Sequence, residues 1–131
     1  MSKKSFLKYF GFMLLAPIML TSCHKSLEDK AYEEAKQMTQ KQCPTPFTNN
    51  VRLDSVTFDK QTRVFTYYCS MNGILDDAKV ISRNKKIIMD AYEKNVLFNP
   101  STKVYRQENI HFKYIFRSYK NSNKTLLQFE I

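Results

Sequence analysis

Apolar residues recur at two different periods along this chain, and each change of period marks an element. Leu27, Ala31, Ala35 and Met38 fall at helical spacing behind Ser26 and Asp29, which have the form of a capping box. A helix is predicted from Leu27 to about Gln42, stopped by Pro44, because the residue before a proline is pushed out of the helical region. Cys43 to Asn50, with Pro44 and Pro46, reads as an extended connector, and the branched and aromatic residues of Val51 to Phe58 favour a strand. After a turn over Asp59 to Thr62, the stretch Arg63 to Met71 alternates, with Phe65, Tyr67, Cys69 and Met71 on one side; so short a connection predicts an antiparallel pair. Asn72-Gly73 ends the second strand in a turn. Asp76 or Asp77 caps a second helix, with Val80, Ile81, Ile87, Ile88, Ala91 and Tyr92 as its buried stripe, ending near Phe98 before Asn99-Pro100. Ile110, Phe112, Tyr114 and Phe116 then alternate with His111, Lys113, Ile115 and Arg117, and Leu127, Phe129 and Ile131 repeat the period of two after a turn around Lys120 to Lys124. Val104 to Arg106 is expected to add a short strand or to extend the third.

The order is helix, hairpin, helix, hairpin. It predicts an α+β fold of two layers, a four-stranded antiparallel sheet with one apolar face packed on two helices. The runs Cys43-Pro44, Arg52-Leu53-Asp54-Ser55-Val56 and Phe65-Thr66-Tyr67-Tyr68 loosely resemble small exported bacterial proteins of cystatin-like or NTF2-like α+β shape. That resemblance implies a fold and no particular activity.

Upstream of the first helix the pattern is different. Lys3, Lys4 and Lys8 precede an apolar run from Phe10 to Leu20, shorter than the about 20 residues a spanning helix needs and interrupted by Pro17. The run ends in Leu20-Thr21-Ser22-Cys23, which resembles the lipobox of bacterial lipoproteins, an apolar residue and two small ones before a cysteine. The resemblance implies that residues 1–22 are a removable signal peptide. Cys23 would then become the new N-terminus, carrying a diacylglyceryl thioether and an amide-linked acyl chain such as palmitate. Two or more acyl chains give stable anchoring where one gives only marginal binding. Residues 23–26 would be a short tether and 27–131 a single domain close to the bilayer. In the sorting pattern of that family an Asp after the modified cysteine retains the protein in the inner membrane; His24 stands there instead, which implies the outer membrane, facing the periplasm or the cell surface.

Composition narrows the chemistry. Removing 22 of 131 residues leaves one domain's worth of chain, and the formal charge falls from +9 to +6 with the three leader lysines. For an exported basic domain, an anionic glycan or an envelope protein is a more natural partner than nucleic acid. Gly73 is the one glycine after the leader, so phosphate loops, dinucleotide fingerprints and nucleophile elbows cannot be assembled. His24 and His111 lie far apart without ligand-spaced partners, and neither a metal nor a cofactor beyond the lipid on Cys23 is expected.

The remaining candidates are few. Cys43 and Cys69 are the cysteines left after acylation of Cys23, and an oxidising compartment permits them to pair, closing a loop of about 26 residues for roughly 3 kcal/mol; two separate buried thiols are the alternative. A Cys-His hydrolase built on Cys43 or Cys69 with His111 is disfavoured, because Cys69 shares the apolar side of its strand whereas His111 lies on the polar side of another. Arg52 and Asp54, two residues apart, are placed to pair with each other or with neighbouring strands, and Asp76-Asp77 is accounted for by helix capping without a metal. Tyr105, Arg106, His111, Lys113, Arg117 and Tyr119 interleave cations with aromatic rings, a mixture suited to stacking on sugars or gripping anions if the helices leave that face open. The expected function is a non-enzymatic, membrane-anchored envelope protein acting as a binding or assembly module, with an inhibitor or immunity-type protein against an exported enzyme or toxin as the alternative.

Overall fold

The computed structural model describes residues 25–131. The lipobox, its cysteine and the leader therefore lie outside the described residues. The elements run α1 (Leu27–Gln42), β1 (Val51–Asp59), β2 (Val64–Met71), α2 (Ala78–Phe98), α3 (Lys103–Gln107), β3 (His111–Ser118) and β4 (Thr125–Glu130). Ser26 caps α1, its Oγ accepting from the Asp29 amide at 3.1 Å, and the Asp29 carboxylate is left to accept from Lys60 Nζ at 2.8 Å. Of the two aspartates before α2, Asp77 is the cap, accepting from the Lys79 and Val80 amides at 2.8 and 3.3 Å, while Asp76 accepts from the Lys120 amide at 3.0 Å.

The four strands lie in the order β1-β2-β3-β4. β1 with β2 and β3 with β4 are antiparallel, but β2 and β3 are parallel, with Tyr67 opposite Tyr114 and Cys69 opposite Phe116. The sheet is thus mixed, not antiparallel throughout as the element order implied. The reason is the connection: a helix laid across the sheet returns the chain to the end from which β2 started, so β3 runs the same way as β2. Val104 to Arg106 also departs from expectation, forming part of the short helix α3 in place of a strand.

α1 and α2 pack on the same side of the sheet. Ala31 and Ala35 of α1 meet Val56, Phe58, Phe65 and Phe112 in one cluster, and Ile81 of α2 meets Met71, Phe116, Leu127 and Phe129 in another. Between these clusters run tiers of aromatic rings, Phe65 stacked on Phe112 at 5.5 Å and Tyr114 on Phe129 at 5.5 Å. Fully burying rings such as Phe112 and Phe116 stabilises the fold by about 1.5–3 kcal/mol each.

The two helices are held differently. Along β1, Thr39 Oγ1 of α1 both accepts from the Val56 amide and donates to the Val56 carbonyl, each at 2.8 Å. Thr45 does the same one step along, its amide donating to Leu53 O and its Oγ1 accepting from Leu53 N, both at 3.0 Å. These bonds occupy edge-strand groups that would otherwise be open to another chain. By contrast, only Ile81 and Val96 of the 21 residues of α2 are buried, and Ile87, expected in the buried stripe, is 70% exposed. Between Ile81 and Val96, α2 reaches the sheet through half-buried Ile88, Met89 and Tyr92, Tyr92 lying 5.1 Å from the Phe116 ring.

Gly73 breaks the chain between β2 and α2. Its φ is +56°, and a Cβ there would stand 2.6 Å from Asn50 Nδ2, the group that donates to Asn72 Oδ1 at 3.1 Å.

Candidate functional site

A trough runs over the middle of β2 and β3, bounded by α2 on one side and by α1 and the connector that follows it on the other. It holds two cavities. A larger one, about 410 Å³, is lined by Thr45, Pro46, Thr48, Val51, Leu53 and Cys69 together with Tyr67, Tyr92 and Tyr114. A smaller one, about 230 Å³, lies toward the other end of the strands, where Phe65 and Phe112 replace Cys69, and is bounded by Glu34 and Met38 of α1 and by Asn95, Ser101 and Tyr105. Tyr67 and Tyr114 line both, so this pair forms the sill between them.

The sill is built by register. Tyr67 and Tyr114 sit directly opposite each other on parallel strands, and their rings stack at 4.9 Å and 13°. Each ring therefore covers a face of the other and presents its edge and hydroxyl to the trough. Tyr92 of α2 tilts over Tyr114 at 4.9 Å. The Tyr105 hydroxyl donates to Glu34, whereas the hydroxyls of Tyr67, Tyr92 and Tyr114 have no hydrogen-bond partner among the described residues and none is sealed away as a buried unpaired atom. Three phenol groups are thus left open to solvent or a ligand.

Burial sets the protonation of these groups. It pushes the Tyr67 hydroxyl up to about 12, with the Glu34 charge adding to the effect, and the Tyr92 hydroxyl to about 12; Tyr114 is raised by the same cause. The Cys69 thiol is also pushed up to about 12, first by burial and then by the Asp54 charge, and Cys43 is raised by the same two causes in the same order. Apart from Glu34 in the smaller cavity, the titratable groups lining the trough are protonated and uncharged. Among the described residues no Lys, Arg or His lines either cavity.

Cys43 and Cys69 are both free thiols in this structure, Cys69 buried on the inner face and Cys43 half-buried at the end of α1. His111 is exposed at the start of β3, opposite Val64 and on the other face of the sheet from Cys69, so no thiol–imidazole pair forms. Among the described residues no three His, Cys, Asp or Glu side chains are grouped to hold a metal ion.

The six residues of the expected contact surface are divided between the layers. Tyr105 and Arg106 are on α3, on the helix side, Tyr105 lining the smaller cavity and Arg106 Nε donating to Thr102 Oγ1 at 3.2 Å. His111, Lys113 and Arg117 share the outer face of β3 with buried Ile115, and Arg117 lies over the Tyr68 ring at 5.4 Å. Tyr119, just beyond β3, packs edge-on against Phe47 at 5.2 Å, and Arg52 lies against both rings at 5.4 and 4.9 Å. Arg52 also donates to Asp54 at 2.6 Å, the pairing their spacing allowed, and Ser70 Oγ donates to the second Asp54 oxygen. An anionic group would meet cations on this outer face and none in the trough.

The molecule is therefore an α+β domain with both long helices on one side of a mixed sheet and a tyrosine-floored trough between them. Residues 26–127 match the family described as a domain of unknown function, DUF8479, and the chain belongs to that family. Its fold is similar to the crystal structure of a putative secreted protein from Pseudomonas aeruginosa, with a TM-score of 0.65 and 16% identity over 82% of this chain and 95% of that one. At that identity the likeness is one of fold. No curated protein matches the sequence.

Proposed function

We propose that this protein is an envelope lipoprotein whose domain works by non-catalytic binding in the trough between α1 and α2. The observation that carries the reading is the trio of unpartnered phenol hydroxyls on Tyr67, Tyr92 and Tyr114 at the meeting of two cavities. A fold that only needed a core would close this space, because close packing is the rule in protein interiors and open volume forfeits contacts. The raised thiol of Cys69 and its separation from His111 favour holding over reacting. Anchoring rests on the lipobox-like Leu20-Thr21-Ser22-Cys23, on the secreted character ascribed to the fold neighbour, and on the lack of a helix among the described residues long and apolar enough to cross a membrane. The destination is the outer membrane, and the partner is another envelope component.

A second reading, an inhibitor or immunity-type protein that blocks an exported enzyme or toxin, draws on one feature. The corner between α2 and α3 presents Phe98 at 79% exposure and Val104 at 56%, an apolar projection of the kind that plugs a partner's pocket.

Two experiments test the leading reading. Palmitate labelling in cells is expected for the natural chain and lost in Cys23→Ala; equal labelling of both rejects the anchor. In-cell crosslinking to a partner is expected to fail when Leu53→Trp fills the larger cavity and to survive Lys113→Glu on the outer face. The opposite pattern rejects the trough as the binding surface.

A further inference from the structure

We infer that the ligand of the trough is an uncharged amphiphile, a long apolar chain carrying a hydroxyl or ester oxygen, bound as a separate molecule. This rests on the reading of the trough as a binding site and adds the chemistry of what fills it.

The larger cavity, about 410 Å³, is of ligand-binding size and is walled by Pro46, Val51, Leu53 and ring edges, which favour hydrocarbon. An anion has no cationic side chain to meet in either cavity and would be desolvated without compensation. A cation is served no better in the larger cavity, which no carboxylate lines among the described residues; Glu34 borders the smaller one and there accepts from Tyr105. The three phenol hydroxyls have no protein partner among the described residues and can donate to a hydroxyl or ester oxygen, which accepts without charge.

The chain's own acyl groups are poorly placed for this role. α1 has 16 residues and so is about 24 Å long. Cys23 precedes its first turn, while Thr45 to Thr48 of the larger cavity follow its last. A free monoacylglycerol or similar neutral lipid of the envelope fits the geometry with no such span to cross.

Photolabelling of the full chain in isolated membrane vesicles tests the inference, using a diazirine-bearing monoacylglycerol and the matching diazirine fatty acid at pH 8, where the latter is an anion. The neutral probe is expected to label peptides containing Tyr67, Tyr92 or Tyr114 at least fivefold more than the fatty acid does. Leu53→Trp should cut that labelling at least fivefold. The double variant Tyr67→Phe with Tyr114→Phe, which keeps both rings and their packing, should cut it at least threefold while a thermal melt stays near that of the natural chain. Equal labelling of these peptides by both probes overturns the neutral-ligand inference and leaves the trough as a binding site. Labels confined to other segments, unaffected by Leu53→Trp, overturn both.

Discussion

Replacing Thr39 by valine removes one oxygen and, with it, two hydrogen bonds across the helix–sheet boundary. In the natural chain that hydroxyl accepts from the Val56 amide and donates to the Val56 carbonyl, each at 2.8 Å, and Val56 is 3% exposed. Valine has nearly the same shape, so the cavity term is small and the cost is that of two stranded backbone groups. Each unpaired buried group costs about 1–3 kcal/mol. With partial access of water at the edge of β1, we expect a loss of about 2–4 kcal/mol in all. At about 4–8 °C per kcal/mol for a domain of this size, the melting temperature should fall by about 8–32 °C. Thr39→Ser keeps the hydroxyl and gives up one methyl, for about 0.8 kcal/mol. Urea unfolding followed by circular dichroism reads both variants. If Thr39→Val proves as stable as Thr39→Ser, the paired bonds do not fasten α1 to the sheet and the argument for a firmly held trough wall fails.

Three further outcomes follow from the same structure. Tyr67 and Tyr92 have folded-state values raised from 10.0 to about 12, so their contribution is fully present below pH 10 and is lost as pH rises toward 12. An alkaline titration read by phenolate absorbance should show these two ionising late or together with unfolding, and early ionisation of every phenol in a still-folded chain would contradict the burial assigned to them. Asp77 is held below 3.8 by the Lys79 and Val80 amides, and Asp76 by Ser118 and then the Lys120 amide. Their contribution is present above that value and lost as pH falls below it; Asp77→Asn should therefore flatten the acid limb of a stability-against-pH curve, and an unchanged limb would dismiss the cap as its source. With Cys69 buried and raised to about 12, iodoacetamide at pH 8 should modify Cys43 at least tenfold faster in the reduced native chain, and equal rates would place Cys69 at the surface.

Much of the fold was legible because local signals agreed with one another. Ser26, Pro44 and Asp77 fixed the helix ends, and the period of two fixed which residues of β2, β3 and β4 face inward. Two things were not legible. Element order gives the length of the β2–β3 connection but not the direction in which β3 is laid down, so the parallel join was missed. Periodicity likewise marks an apolar stripe on α2 without saying how closely the helix approaches the sheet, which is why Ile87 was placed inside although it lies 70% exposed. The trough depends on the first of these: the parallel pair sets Tyr67 beside Tyr114, where both line the two cavities. The tyrosines themselves stood in plain view in the alternation, read as core. The period of two puts His111, Lys113 and Arg117 on one face of β3, but the stacking of Arg52 on Phe47 and Tyr119 joins three segments that no local pattern connects.

The central claim is that the working surface lies between the helices and not on the open face of the sheet. Hydroxyl-radical footprinting of the protein in intact cells, compared with the isolated chain, addresses it residue by residue. The account predicts that Tyr67, Tyr92 and Tyr114 are modified less in cells while Tyr68 and Tyr119 are modified equally in both. Protection of Tyr68 and Tyr119 with the three trough tyrosines unchanged would contradict it.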